Sequence, residues 1–196
     1  MAQRRGPILI FLAAVMWSFA GIASKYLPWG ALSIACARGI LTVTSWFMGV
    51  STLMESLISE PETITPILEK VTDSLIVWLD AQLKRMREPE GIMLLDDLVG
   101  MISKRQYQKM VEPHFKRIWD HFDGKIRIYH NDTPCTHLFP VLKDAGFNVF
   151  NFSFKTDVAE ARELLGDKIV MLGNVAPRDL GIYGTPEQVY AAAWDC

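Results

Sequence analysis

The first 54 residues of the chain contain no aspartate or glutamate. Their charged side chains are all basic and belong to Arg4, Arg5, Lys25 and Arg38. All 22 acidic residues follow, against 16 of the 20 lysines and arginines, so the two parts carry formal charges of +4 and −6. Such an asymmetry is typical of a chain whose two parts occupy different environments.

Cysteines, basic runs and phosphate-binding loops are also scarce. The three cysteines (Cys36, Cys135 and Cys196) have no paired spacing, which argues against a disulfide framework and favours a reducing compartment. The part after residue 54 has no basic run interleaved with aromatics, so we expect no nucleic-acid partner. No glycine-rich loop follows an apolar run, which disfavours an open, doubly wound nucleotide-binding sheet.

Two long apolar stretches occupy the acid-free part. Residues 7–24 are 18 positions without a charged side chain, which as a helix would span about 27 Å, close to the apolar thickness of a bilayer. Residues 29–54 form a second stretch that only Arg38 interrupts. We predict a hairpin of two transmembrane helices over residues 1–54. A signal peptide cleaved near Ala23 and a single signal anchor are the alternatives.

The charges beside these stretches predict an orientation. Arg4 and Arg5 precede the first stretch and favour a cytoplasmic N-terminus, so a hairpin would return the chain to the cytoplasm before Glu55. We therefore expect a membrane-associated protein, anchored through residues 7–54, whose C-terminal domain is cytoplasmic. If the N-terminal segment is a fusion artefact, the protein is expected to be cytoplasmic.

The hairpin interpretation also follows from a resemblance. The segments LAAVMWSFAGIASKYLP and ACARGIL, within residues 6–50, resemble the first two helices of a drug/metabolite transporter. The resemblance implies that Arg38 lies inside the second helix, where arginine costs about 2.5–3.5 kcal/mol unless it faces a bundle interior. Because the other helices of such a bundle are missing, we do not expect transport by this chain alone.

Beyond Glu55 the chain alternates short apolar runs with amphipathic helices. The predicted strands are residues 92–95, 126–129, 147–150 and 169–172. The predicted helices begin at Thr65-Pro66, with Ser59-Glu60-Pro61 as an earlier alternative, at a Ser103/Gln106 capping box, near Leu138, at Thr156 or Asp157, and at Thr185. Pro113 is predicted to break or kink the second helix, and Gly146 and Gly166 to end the third and fourth.

This alternation predicts parallel βα units. The expected fold class is α/β, a partial (β/α)₈ (TIM) barrel of about four βα units preceded by the apolar helical segment. The predicted domains are residues 1–54, the transporter-like hairpin, and residues 55–196, the barrel portion. The barrel core is expected to include Phe147, Phe150, Phe152 and Phe154, and Cys135 is interpreted as a small core residue.

Polar side chains follow the predicted strands, at the end where a barrel builds its active site. Asp96 and Asp97 follow the first strand, His130 and Asp132 the second, and Asn174 the fourth. His130 and Asp132 are two residues apart on a strand, so both project to one side and are predicted to bind one metal ion. Asp96, Asp97 and Asn174 are the predicted catalytic residues. Alternatively, His130 only forms hydrogen bonds, Asp132 caps a helix, and the carboxylates of Asp96 and Asp97 are solvated without a functional role.

A second resemblance covers residues 55–196. The segments LLDDLVGMISKRQYQKMVEPHFKRI, IYHNDTPCTHLFPVLKDAGFNVFNFS and VMLGNVAPRDLGIYGTPEQVY resemble successive parts of the uroporphyrinogen decarboxylase superfamily. That superfamily adopts a (β/α)₈ barrel and includes the haem-pathway decarboxylase and zinc-dependent methyltransferases that act with corrinoid proteins. The resemblance implies that the first three βα units and the last one are missing, and hence a truncated or fused fragment.

The resemblance implies two chemistries. In the decarboxylase, N-terminal arginines hold the substrate carboxylates, and this family carries a serine where the chain has Asp97. In the methyltransferases a His-x-Cys pair binds zinc, and here the pair is His130-x-Asp132, which makes the ligand set harder. The implied third ligand belongs to the missing C-terminal region.

The expected function is therefore that of a uroporphyrinogen decarboxylase-superfamily protein related to the metal-dependent corrinoid methyltransferases, with zinc as the implied metal. The implied partners are a corrinoid protein, as the bearer of the methyl group, and a small-molecule donor or acceptor. A porphyrinogen would be the substrate of the alternative decarboxylase, and a homo-oligomer is possible. A non-catalytic membrane-anchored remnant or transporter fragment is the other alternative, so whether the chain is an enzyme stays open.

Overall fold

A computed structural model of the chain describes residues 34–194. The first predicted transmembrane helix and Cys196 lie outside these residues. The described part contains a five-stranded sheet in which every neighbouring pair of strands is parallel and the strands follow one another in chain order. The strands are β1 (Ile34–Arg38), β2 (Gly91–Leu95), β3 (Ile126–Asn131), β4 (Val149–Phe152) and β5 (Val170–Leu172).

Helices connect the strands, as parallel pairing requires. Three of them, α1 (Ile40–Met48), α2 (Val50–Ser59) and α3 (Pro61–Arg85), lie between β1 and β2. The remaining helices are α4 (Lys104–Gln106), which a π-helical turn (Tyr107–Val111) joins to α5 (Glu112–His121), then α6 (Phe139–Leu142), α7 (Val158–Leu165) and α8 (Pro186–Trp194). Short 3₁₀ turns at Asp97–Met101 and Thr136–Leu138 follow β2 and β3.

The second apolar stretch does not form the single helix that was predicted for it. Its residues 34–38 form β1, which pairs with β2 from Ile34 opposite Gly91 to Arg38 opposite Leu95. Burial alternates along β1, with Ala35 buried and Arg38 exposed, as in a strand with one face in the core. Residues 34–54 lie in the same compact unit as the sheet.

No single helix within residues 34–194 combines the length and apolar character needed to cross a membrane. The pair α1 and α2, bent by 108° at Gly49, meets that requirement jointly, by length and composition only. Both helices contribute fully buried side chains to the hydrophobic core, among them Leu41 and Leu53. Their apolar character therefore has an explanation within the folded unit.

Several local predictions are confirmed. Ser103 and Gln106 form a reciprocal capping box, and Thr185 and Gln188 exchange the equivalent two hydrogen bonds. The side chain of Asp157 accepts from the backbone N–H of Glu160 at the start of α7, which ends at a Gly166 with positive φ. These signals depend on residues only a few positions apart, so they were readable in the sequence.

Helix α3 begins at Pro61, the earlier of the two predicted starts, and continues through Pro66. Proline at the first helical position loses no hydrogen bond, whereas Pro66 removes one. Fully buried Ile64 and Leu68 flank Pro66 along the helix. Burial of two such side chains stabilises the helix by about 3–6 kcal/mol, which offsets the break.

The third predicted strand was placed two residues too early. Phe147 precedes β4 and packs against Trp119 and Tyr129, while Phe150 within the strand stacks on Tyr129 with ring centroids 5.2 Å apart. Phe147, Phe150 and Phe152 are buried, as predicted, but Phe154 is 39% exposed. Phe154 follows the end of β4, and the alternation that buries every second residue does not extend to it.

Candidate functional site

The carboxyl ends of the five strands lie along one edge of the sheet, because all neighbouring pairs are parallel. Asp96 and Asp97 follow β2, His130 lies at the penultimate position of β3, and Asp132 follows that strand. Asn151 occupies the equivalent edge position on β4, since its register partner is His130. Strand ends of this kind build the active sites of parallel α/β barrels.

Three of the predicted site residues meet at this edge. The Nε2 atom of His130 lies 3.7 Å from Oδ2 of Asp132 and 3.9 Å from Oδ1 of Asp97. The same Asp97 oxygen accepts a hydrogen bond of 2.8 Å from the backbone N–H of Asp132. The side chain of His130 is 17% exposed, and those of Asp97 and Asp132 are 38% and 56% exposed. The two carboxylates therefore face solvent beside a partly buried imidazole.

Two of these side chains are close enough to approach one cation together. Ligand atoms arranged tetrahedrally about 2.0–2.2 Å from one zinc ion are about 3.3–3.6 Å apart, and the His130–Asp132 separation of 3.7 Å is near that range. Asp97 Oδ1 is already engaged with the Asp132 backbone. Within residues 34–194 no group of three or more His, Cys, Asp and Glu side chains is placed to hold a metal ion, so the fit concerns the His130–Asp132 pair.

Asn151 is a residue of this edge that the sequence analysis did not select. Its Oδ1 lies 2.5 Å from Nδ1 of His130, and its Nδ2 donates to the carbonyl of Leu172 at 2.6 Å. The available signal was its position between Phe150 and Phe152, both buried, which places Asn151 on the opposite side of the strand. A polar residue between two buried aromatic residues of a strand indicates the side of the sheet that faces away from the aromatic core.

Asp96, predicted as catalytic, is fully buried and serves as a cap for α1. Its Oδ2 accepts from the backbone N–H of Leu41 at 2.9 Å, and its Oδ1 accepts from the N–H and hydroxyl of Thr42 at 3.1 and 2.8 Å. Gly39, at the N-cap position of α1, has no side chain with which to cap the helix. The carboxylate of Asp96 therefore supplies, from the segment after β2, what the N-cap residue lacks.

The backbone at Asp96 is also a junction for the site. Its carbonyl accepts from the hydroxyl of Tyr129 at 3.1 Å and from Nδ2 of Asn131 at 3.0 Å. Asn131 Oδ1 in turn accepts from the N–H of Thr133, whose hydroxyl also reaches the carbonyl of Asp97. This network joins the segments after β2 and β3, and so holds Asp97 and Asp132 at their observed separation.

Burial raises the pKa of Asp96 to about 6 from its ordinary 3.8; the Asp97 charge adds slightly, and the Thr42 and Leu41 hydrogen bonds oppose the rise. At pH values between 3.8 and about 6, the folded state therefore binds more protons than the unfolded state. We expect the free energy of unfolding, relative to an Asp96→Asn variant, to fall by about 2 kcal/mol as pH rises from 4 to 7. Urea unfolding of both proteins across this range measures the difference, and a constant difference would contradict the assignment.

Asn174 does not join the trio through any hydrogen bond that the structure shows. It adopts a positive φ of 137°, and its Nδ2 donates to the carbonyl of Thr156 at 2.9 Å. Its Oδ1 is buried without a hydrogen-bond partner. The amide therefore ties the segment after β5 to the start of the turn before α7, and its catalytic role stays a prediction.

Cys135 is buried, as expected of a small core residue. Burial, with a contribution from the charge of Asp97, raises the pKa of its thiol to about 12 from an ordinary 9.0. The thiolate fraction at neutral pH is thereby about a thousandfold smaller than in an exposed cysteine. Cys135 is therefore best described as a buried, protonated thiol of the core.

The other histidines serve structural contacts. His114 is buried in α5, His121 pairs with Asp80 at 3.0 Å, and Nε2 of His137 lies 2.9 Å from the carbonyl of Ile102. None of these contacts involves the trio at the strand edge. Of the four histidines in the chain, His130 is the one that lies beside the two carboxylates Asp97 and Asp132.

The sequential parallel sheet with polar residues at its carboxyl edge places the chain among α/β proteins with a TIM-barrel-type fold. A solved structure, "methyltransferase from Methanosarcina mazei", matches 89% of this chain and 52% of its own with a TM-score of 0.79 and 16% identity, a likeness of fold. The model of the family "Uroporphyrinogen decarboxylase (URO-D)" matches residues 17–196. The chain belongs to the uroporphyrinogen decarboxylase family.

Curated relatives agree with this membership. Uroporphyrinogen decarboxylase of Serratia proteamaculans is 29% identical over 147 residues, which is 70% of this chain and 39% of that protein. The enzyme of Pseudoalteromonas translucida is 28% identical over 139 residues, 67% of this chain and 37% of its own length. The chain thus spans less than two fifths of these relatives. The family match begins at residue 17 and extends through the segment interpreted as transporter-like, an interpretation that receives no support.

Proposed function

We propose that this chain is part of a metal-dependent methyltransferase of the uroporphyrinogen decarboxylase family. In this proposal a methyl group passes between a corrinoid and a thiol at the carboxyl edge of the sheet, which is part of a closed (β/α)₈ barrel. The observation that carries the proposal is the orientation of His130, whose Nε2 faces the Asp132 carboxylate at 3.7 Å while its Nδ1 is engaged by Asn151. Such a pair supplies two ligands to one cation.

Each residue of the trio has a separate task in this proposal. His130 and Asp132 would hold the metal ion, which would lower the pKa of a substrate thiol when bound. Asp97 accepts from the Asp132 backbone and so orients the turn that carries the second ligand. Asp96 keeps the segment between β2 and the first 3₁₀ turn in place through its contacts with α1.

The test is metal binding by the full chain. We expect Zn²⁺ to bind with a stoichiometry of one in titration calorimetry at pH 7.5, and His130→Ala to weaken the affinity at least 100-fold by removing the imidazole ligand. His121→Ala is the matched control, since His121 pairs with Asp80 on the surface, and its affinity should equal that of the wild type. Absence of stoichiometric binding, or equal loss in both variants, would overturn the proposal.

A second candidate is decarboxylation of a porphyrinogen, which the curated relatives favour. One structural observation supports it: Arg38, exposed at the carboxyl end of β1, adds a cation to the edge that carries Asp97 and His130. A guanidinium there suits a substrate carboxylate. Methyl transfer from methylcobalamin to 2-mercaptoethanol that His130→Ala abolishes favours the first candidate. Metal-independent release of CO₂ from uroporphyrinogen that Arg38→Ala abolishes favours the second.

A further inference from the structure

We propose that Asn151 is a positioning residue that sets the tautomer of His130, leaving the Nε2 lone pair directed at Asp97 and Asp132. The register of three neighbouring strands places Asn151 beside His130. His130 on β3 is the partner of Asn151 on β4, which is the partner of Leu172 on β5. The Asn151 side chain therefore lies between the imidazole and the backbone of the last strand.

The hydrogen bonds of Asn151 determine which way its amide faces. The carbonyl of Leu172 can only accept, so the group that contacts it at 2.6 Å must be the NH₂ of Asn151. The Oδ1 atom then faces Nδ1 of His130 at 2.5 Å, and an amide oxygen can only accept. The proton of the neutral imidazole is consequently on Nδ1, and Nε2 carries the lone pair.

The backbone beside Asn151 restricts movement of the amide. Gly173, which has a φ of 92°, passes so close that a Cβ atom built on it would lie 2.8 Å from Nδ2 of Asn151. A side chain at position 173 would push the amide away from Leu172. The absence of that side chain lets Asn151 keep both contacts, with Leu172 and with His130.

The tautomer matters because two carboxylates face the other nitrogen. Asp97 and Asp132 lie 3.9 and 3.7 Å from Nε2 of His130 and attract a proton to it. A proton on Nε2 would convert this nitrogen into a donor and remove it as a cation ligand. The acceptor of Asn151 opposes that attraction at hydrogen-bonding distance, as do the acceptors that orient metal-binding histidines through their other ring nitrogen.

This inference rests on the proposed function only for the use of the lone pair; the tautomer itself is measurable without metal. In the metal-free full chain labelled with ¹⁵N-histidine at pH 8, we expect His130 to show a protonated Nδ1 and an unprotonated Nε2. Asn151→Leu, which has no acceptor, should move the proton to Nε2 and weaken Zn²⁺ binding by 10- to 100-fold. Asn151→Asp keeps an acceptor and should restore both properties.

The wild-type spectrum alone can overturn the inference, whether or not the Asn151→Leu variant folds, because a protonated Nε2 in the wild type contradicts it. An unchanged tautomer in folded Asn151→Leu would also contradict it. The two proposals fail separately. If the wild type shows the predicted tautomer but does not bind Zn²⁺, the role of Asn151 stands and the methyltransferase proposal fails. If the wild type binds Zn²⁺ but its metal-free form is protonated at Nε2, the methyltransferase proposal stands and the role of Asn151 fails.

Discussion

Replacement of Asp96 by alanine is expected to lower the free energy of unfolding by about 3 kcal/mol at pH 5. The change removes the acceptor of three hydrogen bonds from the first turn of α1, two of them from the N–H groups of Leu41 and Thr42. A buried donor left without an acceptor costs about 1–3 kcal/mol. At pH 5 the carboxyl, with a pKa of about 6, is mostly protonated in the folded state, so little charge desolvation offsets the loss.

Asp97→Ala provides the matched control for this prediction. It removes a neighbouring carboxylate that is 38% exposed and accepts a single backbone hydrogen bond, from Asp132. We expect a loss of about 1 kcal/mol or less. Urea unfolding followed by circular dichroism compares the two variants. If Asp96→Ala were no less stable than Asp97→Ala, the cap of α1 would not be a main contribution to stability.

The second large effect is expected from Gly39→Ala, which should lower the free energy of unfolding by about 3 kcal/mol. A Cβ atom at position 39 would lie 2.3 Å from Cβ and 2.4 Å from Oδ2 of Asp96, distances at which side chains overlap. The backbone of Gly39 has a φ of −77° that alanine adopts without strain. The loss would therefore report the close packing of Asp96 beneath α1.

Gly49→Ala separates this steric effect from backbone strain. Gly49 has a φ of 85°, and a Cβ atom built there meets nothing within 4 Å. With a ψ of 150° this is a backbone conformation found almost only for glycine, so alanine there costs about 2 kcal/mol through its conformation alone. Thermal or urea unfolding should therefore rank Gly39→Ala below Gly49→Ala in stability. A reversed order would show that Asp96 moves aside at little cost, and would weaken the assignment of both residues.

Four of the five strands in residues 34–194 were predicted, and the remaining strand, β1, was missed for a physical reason. Residues 34–38 lie in a long stretch without acidic side chains, and low charge with high hydrophobicity favours a membrane helix as readily as a buried strand. What makes them a strand is pairing with β2, from Ile34 opposite Gly91 onward. That partner lies more than 50 residues away, beyond the reach of any local pattern.

The candidate site was likewise predicted from the sequence only in part. His130 and Asp132 were predicted to face one space because residues two apart on a strand project to one side, and the structure places them 3.7 Å apart. Asp96 was predicted from its position after a strand, which does not distinguish a catalytic carboxylate from a buried cap. The difference lies in the first turn of α1, which contacts it from 54 and 55 positions away.

Features that depend on neighbours along the chain could be predicted from the amino-acid sequence. These are the capping box at Ser103, the cap of α7 at Asp157, its end at Gly166, and the polar strand ends, each formed by side chains acting on nearby backbone. Which strand ends meet depends on the assembled fold: Asp97 contacts Asp132, 35 positions along the chain, and His130 contacts Asn151, 21 positions along. The reason is that parallel strands bring distant segments into register, and register is a property of the assembled sheet.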